Sequence, residues 1–435
     1  MAFNDARFNQ DGTCICVAND KGFKILNSNP MVLTCDRDLR YKNVGAVGMA
    51  EMLYRSNLLA LVGNSEYYDI RKINSGSLKS KFIKPWKQNI LTIWDDKKFV
   101  EVAQLVFTDS ILNVKFLYDL IAVSLNYKVY VYQMSDVSLL HCSNTIYNPY
   151  GLISVSTHRG LNFIAYPGKL KGSIMVQIYT KNRRLGSSEN SASIEDFKDS
   201  DDPDDVFEFD EIMDAGEETG KYMKLSMKLQ VHVSEVTSID FSPNGLLIVT
   251  SSIQGKYIKM FDTLSGELIQ VFRKTNNFGR VTKCIIDKDM KWLCVISEKP
   301  KLYMYQIDQA AIKDCEFDNE NRKVNFKNSC IFDINNEDKH IGKYFKHLKN
   351  AITFPSTRCG DYNIFKTVIN KAKLYLHSTS VFAYFKPRNR DRIIDGALML
   401  DKETIVIILQ TGRAMKLFFN PAKYAGIKLI YYHHL

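Results

Sequence analysis

Two adjacent cations, Arg273 and Lys274, are the residues of this sequence best suited to bind an anion. They follow the apolar run LIQVF at residues 268–272, which predicts a β-strand. Because consecutive strand side chains point to opposite faces, the pair can serve two separate pockets. An arginine can hold a phosphate with two hydrogen bonds, whereas a lysine acts as a point charge. The alternative interpretation is a solvated basic turn at a strand end.

Motifs for catalysis or metal binding are missing from the sequence. It contains no G-x-G-x-x-G or Walker loop, no H-E-x-x-H zinc motif and no nucleophile elbow. His433 and His434 are adjacent, and we interpret them as incidental rather than as metal ligands. We therefore predict a protein that is not an enzyme and needs no cofactor or metal.

The strand that precedes the two cations belongs to a pattern that occurs seven times. Each copy has a turn, an apolar strand and a second strand in which apolar and polar residues alternate. The copies begin near Phe8, Tyr54, Lys115, Gly160, Phe241, Asp287 and Met399. About 45 residues per copy, after insertions are subtracted, is the size of a four-stranded propeller blade. The predicted fold is all-β: a single-domain, WD40-like seven-bladed β-propeller, with long inserted loops and a divergent sequence.

Three insertions interrupt the repeats: a basic one at residues 66–88, an acidic one at 187–219 and a long connection at 308–378. In the last of these, apolar residues recur at helical spacing among lysines, which predicts a basic amphipathic helix. The predicted membrane-insertion residues are Ile341, Tyr344, Phe345, Leu348 and Ile352. Such a helix inserts its apolar face at the headgroup boundary of a membrane. A helix packed against the propeller is the alternative.

The net charge of +10 is divided unevenly along the chain. Residues 187–219 contain 14 acidic residues and one lysine, so this segment carries −13 and the remainder +23. Dense like charge with low hydrophobicity predicts a disordered loop, which we interpret as a spacer. A further hypothesis is that it repels anionic membranes until a basic partner binds it. The basic remainder spreads its lysines through loops without interleaved stacking aromatics, so we expect no nucleic-acid partner.

The cysteines and the apolar stretches bear on the cellular compartment. Nine cysteines include no CxxC pair and no zinc-site spacing, which predicts reduced, mostly buried thiols. The first residues lack the pattern of a signal peptide, and no apolar run is long enough to span a bilayer. These features predict a cytoplasmic protein.

The motif FRKT at residues 272–275 resembles the FRRG motif of the PROPPINs, a family of phosphoinositide-binding propellers of autophagy. The resemblance extends along almost the whole chain. It includes FNQDGTCICVANDKGFKILNSNP at 8–30, EMLYRSNLLALVGN at 51–64, SILNVKF at 110–116 and IVTSSIQGKYIKMFDTLSGELIQVFRK at 248–274. It implies a seven-bladed propeller that binds phosphatidylinositol 3-phosphate and the 3,5-bisphosphate at the rim of blades 5 and 6.

The resemblance also implies two lipid sites. The first contains His232, Thr250, Ser252, Lys259 and Arg273. The second contains Lys274, with Ser297, Lys299 and Lys301 as substitutes for the family's residues. The second site departs from the pattern because Lys274 replaces an arginine, Thr275 a glycine and Glu298 a hydroxyl-bearing residue. A carboxylate beside a phosphate is repulsive, which weighs against this second pocket.

Partners and location follow from the same resemblance. It implies phosphoinositide-containing membranes as a partner, together with an autophagy lipid-transfer protein or other autophagy factors. The basic insertion falls where the family's second blade contacts the lipid-transfer protein. The expected location is peripheral, on autophagosomal-precursor, endosomal or vacuolar membranes. The alternative function is a lipid-independent propeller scaffold for protein–protein interaction.

Overall fold

The computed structural model describes residues 3–39, 46–64, 87–158, 160–181, 217–219, 222–253, 256–274, 279–312, 379, 381–387, 391–399, 404–420 and 427–435. Within these residues the chain forms seven antiparallel sheets. The sheets follow one another along the chain, and we number them as blades 1 to 7.

The strands have the following bounds. Blade 1 contains β1 (Phe3–Phe8), β2 (Cys14–Asn19), β3 (Gly22–Ser28) and β4 (Met31–Asp38), and blade 2 contains β5 (Val47–Met52), β6 (Leu58–Gly63), β7 (Ile90–Asp95) and β8 (Val100–Val106). Blade 3 contains β9 (Asn113–Phe116), β10 (Leu120–Ser124), β11 (Lys128–Gln133) and β12 (Leu139–Asn144). Blade 4 contains β13 (Ser154–His158), β14 (Leu161–Pro167), β15 (Ser173–Lys181), β16 (Glu217–Thr219) and β17 (Tyr222–Gln230). Blade 5 contains β18 (Val236–Phe241), β19 (Leu247–Ser252), β20 (Tyr257–Asp262) and β21 (Leu268–Arg273). Blade 6 contains β22 (Val281–Ile286), β23 (Trp292–Ser297), β24 (Lys301–Gln306) and β25 (Ala383–Phe385), and blade 7 contains β26 (Ile393–Met399), β27 (Thr404–Leu409), β28 (Arg413–Phe418) and β29 (Lys428–His434).

The first strand of each blade lies innermost and contacts the first strand of the next blade, and β26 contacts β1 to close the ring. The second strands are the most buried: every residue of β10, β19, β23 and β27 is buried. Their apolar sequences arise because neighbouring blades cover both faces of each sheet. The predicted all-β, seven-bladed propeller is confirmed.

One end of the acidic insertion differs from the predicted loop. Its last three residues, Glu217–Thr219, form β16, which pairs with β17 at the edge of blade 4. Backbone pairing to a neighbouring strand satisfies hydrogen bonds that a solvated loop leaves to water. The rest of the acidic insertion, and nearly all of the basic one, lie outside the described residues.

The described residues also bear on thiols, metals and membranes. Their six cysteines are unpaired, and four of them are buried. No group of three or more potential metal ligands comes together in this part of the chain. None of its helices has the length and apolar character needed to cross a membrane.

Charged side chains from the inner strands meet at the centre of the ring. The Arg7 guanidinium lies 3.1 Å from the Glu51 carboxylate, which also accepts the Lys115 ammonium at 3.1 Å. Between blades 6 and 7, Lys283 pairs with Asp395. Glu51 and Asp395 are buried, so each carboxylate depends on these partners to offset lost hydration.

Asp240, on β18, belongs to the same inner ring and is also removed from water. Its carboxylate accepts hydrogen bonds from the Cys284 amide at 2.8 Å and the Ser238 hydroxyl at 2.8 Å. Burial nevertheless raises its pKa from 3.8 to about 6, against the opposing effect of Lys283. The folded protein therefore holds this proton more tightly than the unfolded chain does.

This pKa predicts a pH-dependent effect of Asp240→Asn. The Asp240 contribution is most favourable below pH 4, is lost as pH rises through about 6, and amounts to at most about 3 kcal/mol. We expect Asp240→Asn to match wild type near pH 4 and to exceed its stability by about 1–3 kcal/mol at pH 7.5. Urea unfolding at both pH values measures this. The exposed Asp289→Asn is the control, and a difference that does not change with pH would contradict the prediction.

Candidate functional site

The predicted first-pocket residues lie on one face and at one end of blade 5. Thr250 pairs with Lys259 across β19 and β20, and Lys259 pairs with Val271 on β21. Arg273 pairs with Tyr257, two residues along each strand. Because strand residues two apart share a face, Arg273 lies on the same face as Lys259 and Thr250. The apolar residues of this face pack against blade 4.

His232 joins this face from the link between β17 and β18. Its Nε2 lies 3.0 Å from the Thr250 hydroxyl, and both side chains are buried. Burial lowers the pKa of His232 well below 6.5, and the nearby Lys259 and Lys274 ammonium groups lower it further. The imidazole is therefore neutral at pH 7, and it contributes a hydrogen-bonding group rather than a positive charge.

Two ammonium groups are held at this end of blade 5 by backbone carbonyls. Lys259 is buried and donates to the Val231 carbonyl at 3.0 Å. Lys274 donates to the Ser252 carbonyl at 2.9 Å, and burial lowers its pKa to about 8. A bound anion would favour the charged form of Lys274, so anion binding there is coupled to proton uptake.

This position of Lys274 differs from the sequence prediction, which assigned it to the second pocket. Strand alternation sets the direction in which a side chain leaves the backbone, but the lysine stem has four carbons and can turn back. The Ser252 carbonyl at the end of β19 accepts the ammonium, so Lys274 lies with the first-pocket residues.

Arg273 has a fixed backbone and an exposed side chain. Its N–H donates to the Thr379 carbonyl at 2.9 Å, and its carbonyl accepts the Tyr305 hydroxyl of blade 6 at 3.0 Å. Its side chain is exposed at the end of β21. These two backbone hydrogen bonds restrict the position of the Arg273 Cα, while the guanidinium is presented to solvent.

Thr379 is a residue of this site that the sequence did not reveal. Its N–H donates to the Val271 carbonyl at 2.9 Å, and its hydroxyl accepts the Gln270 side chain at 2.7 Å. The long connection thus returns to the propeller beside Arg273 before entering β25. Its contacts are mostly backbone contacts, for which a single sequence carries no signal. The five predicted membrane-insertion residues lie outside the described residues.

The second predicted pocket lies at the corresponding end of blade 6. Ser297 is buried, and its hydroxyl donates to the Lys299 carbonyl at 2.6 Å within the turn between β23 and β24. Lys299 is exposed and Lys301 half-buried. Glu298 is exposed and lies 3.5 Å from the Arg280 guanidinium, which itself stacks 3.8 Å from the ring centre of Tyr150. This end of blade 6 therefore presents two lysines and a carboxylate that already has a cationic partner.

Comparison with curated proteins finds relatives that include several proteins named Autophagy-related protein 18. Autophagy-related protein 18 of Candida glabrata is 25% identical over 331 residues, which is 69% of this chain and 61% of the relative. SVP1-like protein 2 of Pichia angusta is 29% identical over 307 residues, 70% of each chain. Autophagy-related protein 18 of Saccharomyces cerevisiae is 26% identical over 332 residues, 70% of this chain and 62% of the relative. The chain thus matches about three fifths of the length of the Autophagy-related protein 18 relatives. No family model matches the chain.

Solved structures with the same fold include Kluyveromyces lactis Hsv2, with a TM-score of 0.60 and 16% identity over 100% of this chain and 99% of Hsv2. A second is KlAtg21, solved in complex with the coiled-coil of AgAtg16, with a TM-score of 0.55, 16% identity and 100% and 99% coverage. At this identity the likeness establishes the propeller fold.

Proposed function

We propose that this chain, which its homologues assign to the PROPPIN family, binds 3-phosphorylated phosphoinositides and docks on membranes through the rim of blades 5 and 6. Bound there, it would recruit autophagy machinery. The proposed ligands are phosphatidylinositol 3-phosphate and the 3,5-bisphosphate. In this proposal the protein acts by binding rather than by catalysis.

One observation carries the proposal: three basic side chains and a buried imidazole–hydroxyl pair come together at one end of blade 5. Arg273 and Lys259 share a face, Lys274 reaches the same end, and His232 contacts Thr250. Fixed hydrogen-bonding groups around clustered cations suit the several phosphate and hydroxyl groups of an inositol headgroup. Ser252 ends β19 beside them and would complete the first site.

Membrane attachment would combine this first site with weaker contacts. Lys299 and Lys301 would add charge attraction at blade 6, with Ser297 supporting their turn. The predicted amphipathic residues of the long connection would insert at the headgroup boundary, and their chain returns at Thr379, beside Arg273. Once one contact has formed, the others form at a high effective concentration, so the overall affinity for the membrane exceeds that of each contact and no single contact has to be strong. The acidic insertion would act as a spacer or as a repulsive element toward anionic membranes.

Recruitment of partners is proposed by analogy with the relatives. KlAtg21 was solved with the coiled-coil of AgAtg16. We propose that this chain likewise binds other autophagy factors, among them a lipid-transfer protein at the basic insertion of blade 2. It would act from the cytoplasm, on autophagosomal-precursor, endosomal or vacuolar membranes.

The second candidate function is a lipid-independent scaffold, and the blade 6 end favours it. There Glu298 stands among the lysines, and Lys274 contacts Ser252 rather than this pocket. A scaffold would bind protein partners and show no preference among membrane lipids.

Vesicle co-sedimentation of the wild-type chain separates the two functions. We expect phosphatidylcholine vesicles containing phosphatidylinositol 3-phosphate to bind at least about tenfold more tightly than vesicles containing phosphatidylinositol. Added salt should weaken the binding, because the contacts are largely between charges. Equal binding to both vesicle types would reject the lipid function and leave the scaffold.

A further inference from the structure

The outermost strand of blade 7, β29, is an apolar edge that faces solvent. Its sequence is KLIYYHH, and in the described residues it pairs with β28 and with no other strand. Four consecutive large side chains are exposed: Leu429 by 42%, Ile430 by 48%, Tyr431 by 37% and Tyr432 by 56%. Natural sheets usually protect an edge with charges, bulges or a covering segment.

The outermost strands of the other blades are protected or less apolar. Of β4, β8, β12, β21 and β25, none exposes more than two large apolar side chains. β4 carries three charged residues at its end, and β21 is covered by the backbone of Thr379. The edge of blade 4 is occupied by β16. The exposed apolar edge of β29 is therefore not a general property of the blades.

The backbone of β29 has hydrogen-bonding groups that point away from the sheet. The Leu435 N–H donates to the Gly412 carbonyl at 2.9 Å, and His434 lies opposite Arg413. In an antiparallel ladder, alternate residues bond to the partner strand, so the N–H groups of Tyr432 and His434 point outward. An added strand could bond to them.

The charge of this edge indicates which kind of segment could bind to it. β28 and β29 contain Arg413, Lys416 and Lys428 and no acidic residue. The Arg413 guanidinium lies 5.6 Å from the ring centre of Tyr432, and the Lys416 ammonium lies 5.8 Å from that of Tyr431. A second copy of β29 would bring the same cations together, which is unfavourable across strands. An acidic segment would be complementary.

We propose that β29 is a docking edge for an extended segment of a partner protein in which acidic residues alternate with apolar ones. The segment would add a strand to blade 7, with its apolar side chains on the face of Leu429 and Tyr432 and its carboxylates on the face of Lys416 and Lys428. This inference does not depend on the proposed lipid function, which uses blades 5 and 6.

The test uses the full chain and a labelled peptide of glutamate alternating with valine or phenylalanine. Fluorescence anisotropy measures its binding, with a matched peptide that has lysine in place of glutamate. We expect the glutamate peptide to bind at least about tenfold more tightly than the lysine peptide. No binding of the glutamate peptide, or equal binding of both, would overturn the proposal.

Substitutions locate the binding. Tyr432→Glu places a repulsive charge on the edge, and His434→Pro removes an outward N–H, a position where an edge strand tolerates proline. Each should weaken binding at least about tenfold, whereas Leu139→Glu, on the exposed edge of β12, should not change it. Melting curves identify the variants that remain folded. Unchanged peptide binding in both folded β29 variants would overturn the proposal. So would the absence of peptide binding together with a concentration-dependent dimer of the chain that Tyr432→Glu abolishes.

Discussion

Vesicles containing phosphatidylinositol 3-phosphate should bind the Arg273→Thr/Lys274→Thr variant about 10- to 100-fold more weakly than wild type. Arg273 offers a two-pronged contact to a phosphate, and Lys274 adds a charge at the same end of blade 5. This range corresponds to a net loss of about 1.5–3 kcal/mol, the contribution of a single hydrogen bond to a charged group. Co-sedimentation at fixed ionic strength measures the effect.

The matched control is Lys97→Thr/Lys98→Thr. These two lysines are adjacent, like Arg273 and Lys274, and lie exposed in the turn between β7 and β8 of blade 2, so the same formal charge is removed from a different place. General attraction to the membrane would be reduced equally by both double substitutions. A specific site requires the control to retain nearly all its binding, and equal losses would contradict the site at blade 5.

The single substitution Arg273→Gln distinguishes a binding defect from a folding defect. Loss of Lys274 leaves the Ser252 carbonyl without this donor, so the double variant can lose some stability. Arg273→Gln changes an exposed side chain and keeps the backbone bonds to Thr379 and Tyr305. It should melt like wild type and still bind the lipid about tenfold more weakly.

The largest stability effect is expected for Asp395→Ala, which should cost about 3–5 kcal/mol. Asp395 is buried, pairs with Lys283 of blade 6 and accepts the Phe8 N–H of blade 1 at 2.9 Å. Its removal leaves a cation near the centre of the ring without this partner and a buried amide without an acceptor. Urea unfolding at pH 7 measures the change.

Asp289→Ala is the control, since it breaks an ion pair with Lys291 in which both side chains are more than half exposed. It should change stability by less than about 1 kcal/mol. Asp395→Asn keeps an acceptor for the Phe8 amide and should lose less than Asp395→Ala. Similar small losses for Asp395→Ala and Asp289→Ala would show that the contacts of the buried Asp395 carboxylate are not important for stability.

The sequence was sufficient to predict the propeller because the second strand of each blade is buried on both faces and therefore has a nearly continuous apolar sequence. The copies recognised near Phe8 and Phe241 begin at the end of a first strand and run through the next two. The outer strands are half exposed and more variable, as in β8, whose first three residues are all exposed. Their bounds depend on pairing with the strand before them rather than on their own pattern.

The candidate site was predictable to the extent that it lies on strands. The alternation of β19, β20 and β21 places Thr250, Lys259 and Arg273 on one face, as the spacing implies. Contacts that depend on side-chain reach or on distant backbone could not be predicted. Lys274 turns back to a carbonyl, and Thr379 arrives from a connection of more than sixty residues.

The closure of the ring has a consequence for how the molecule opens. The chain itself crosses every junction between successive blades from 1 to 7, whereas blades 7 and 1 meet through apolar side chains and the hydrogen bonds from Phe8 to Asp395 and from Lys416 to Asn29. That junction is held by noncovalent contacts, so a local opening there is not limited by a connecting segment. The propeller is thus a ring with one junction that no chain segment crosses, and a ligand that bridges blades 7 and 1 would stabilise the closed ring.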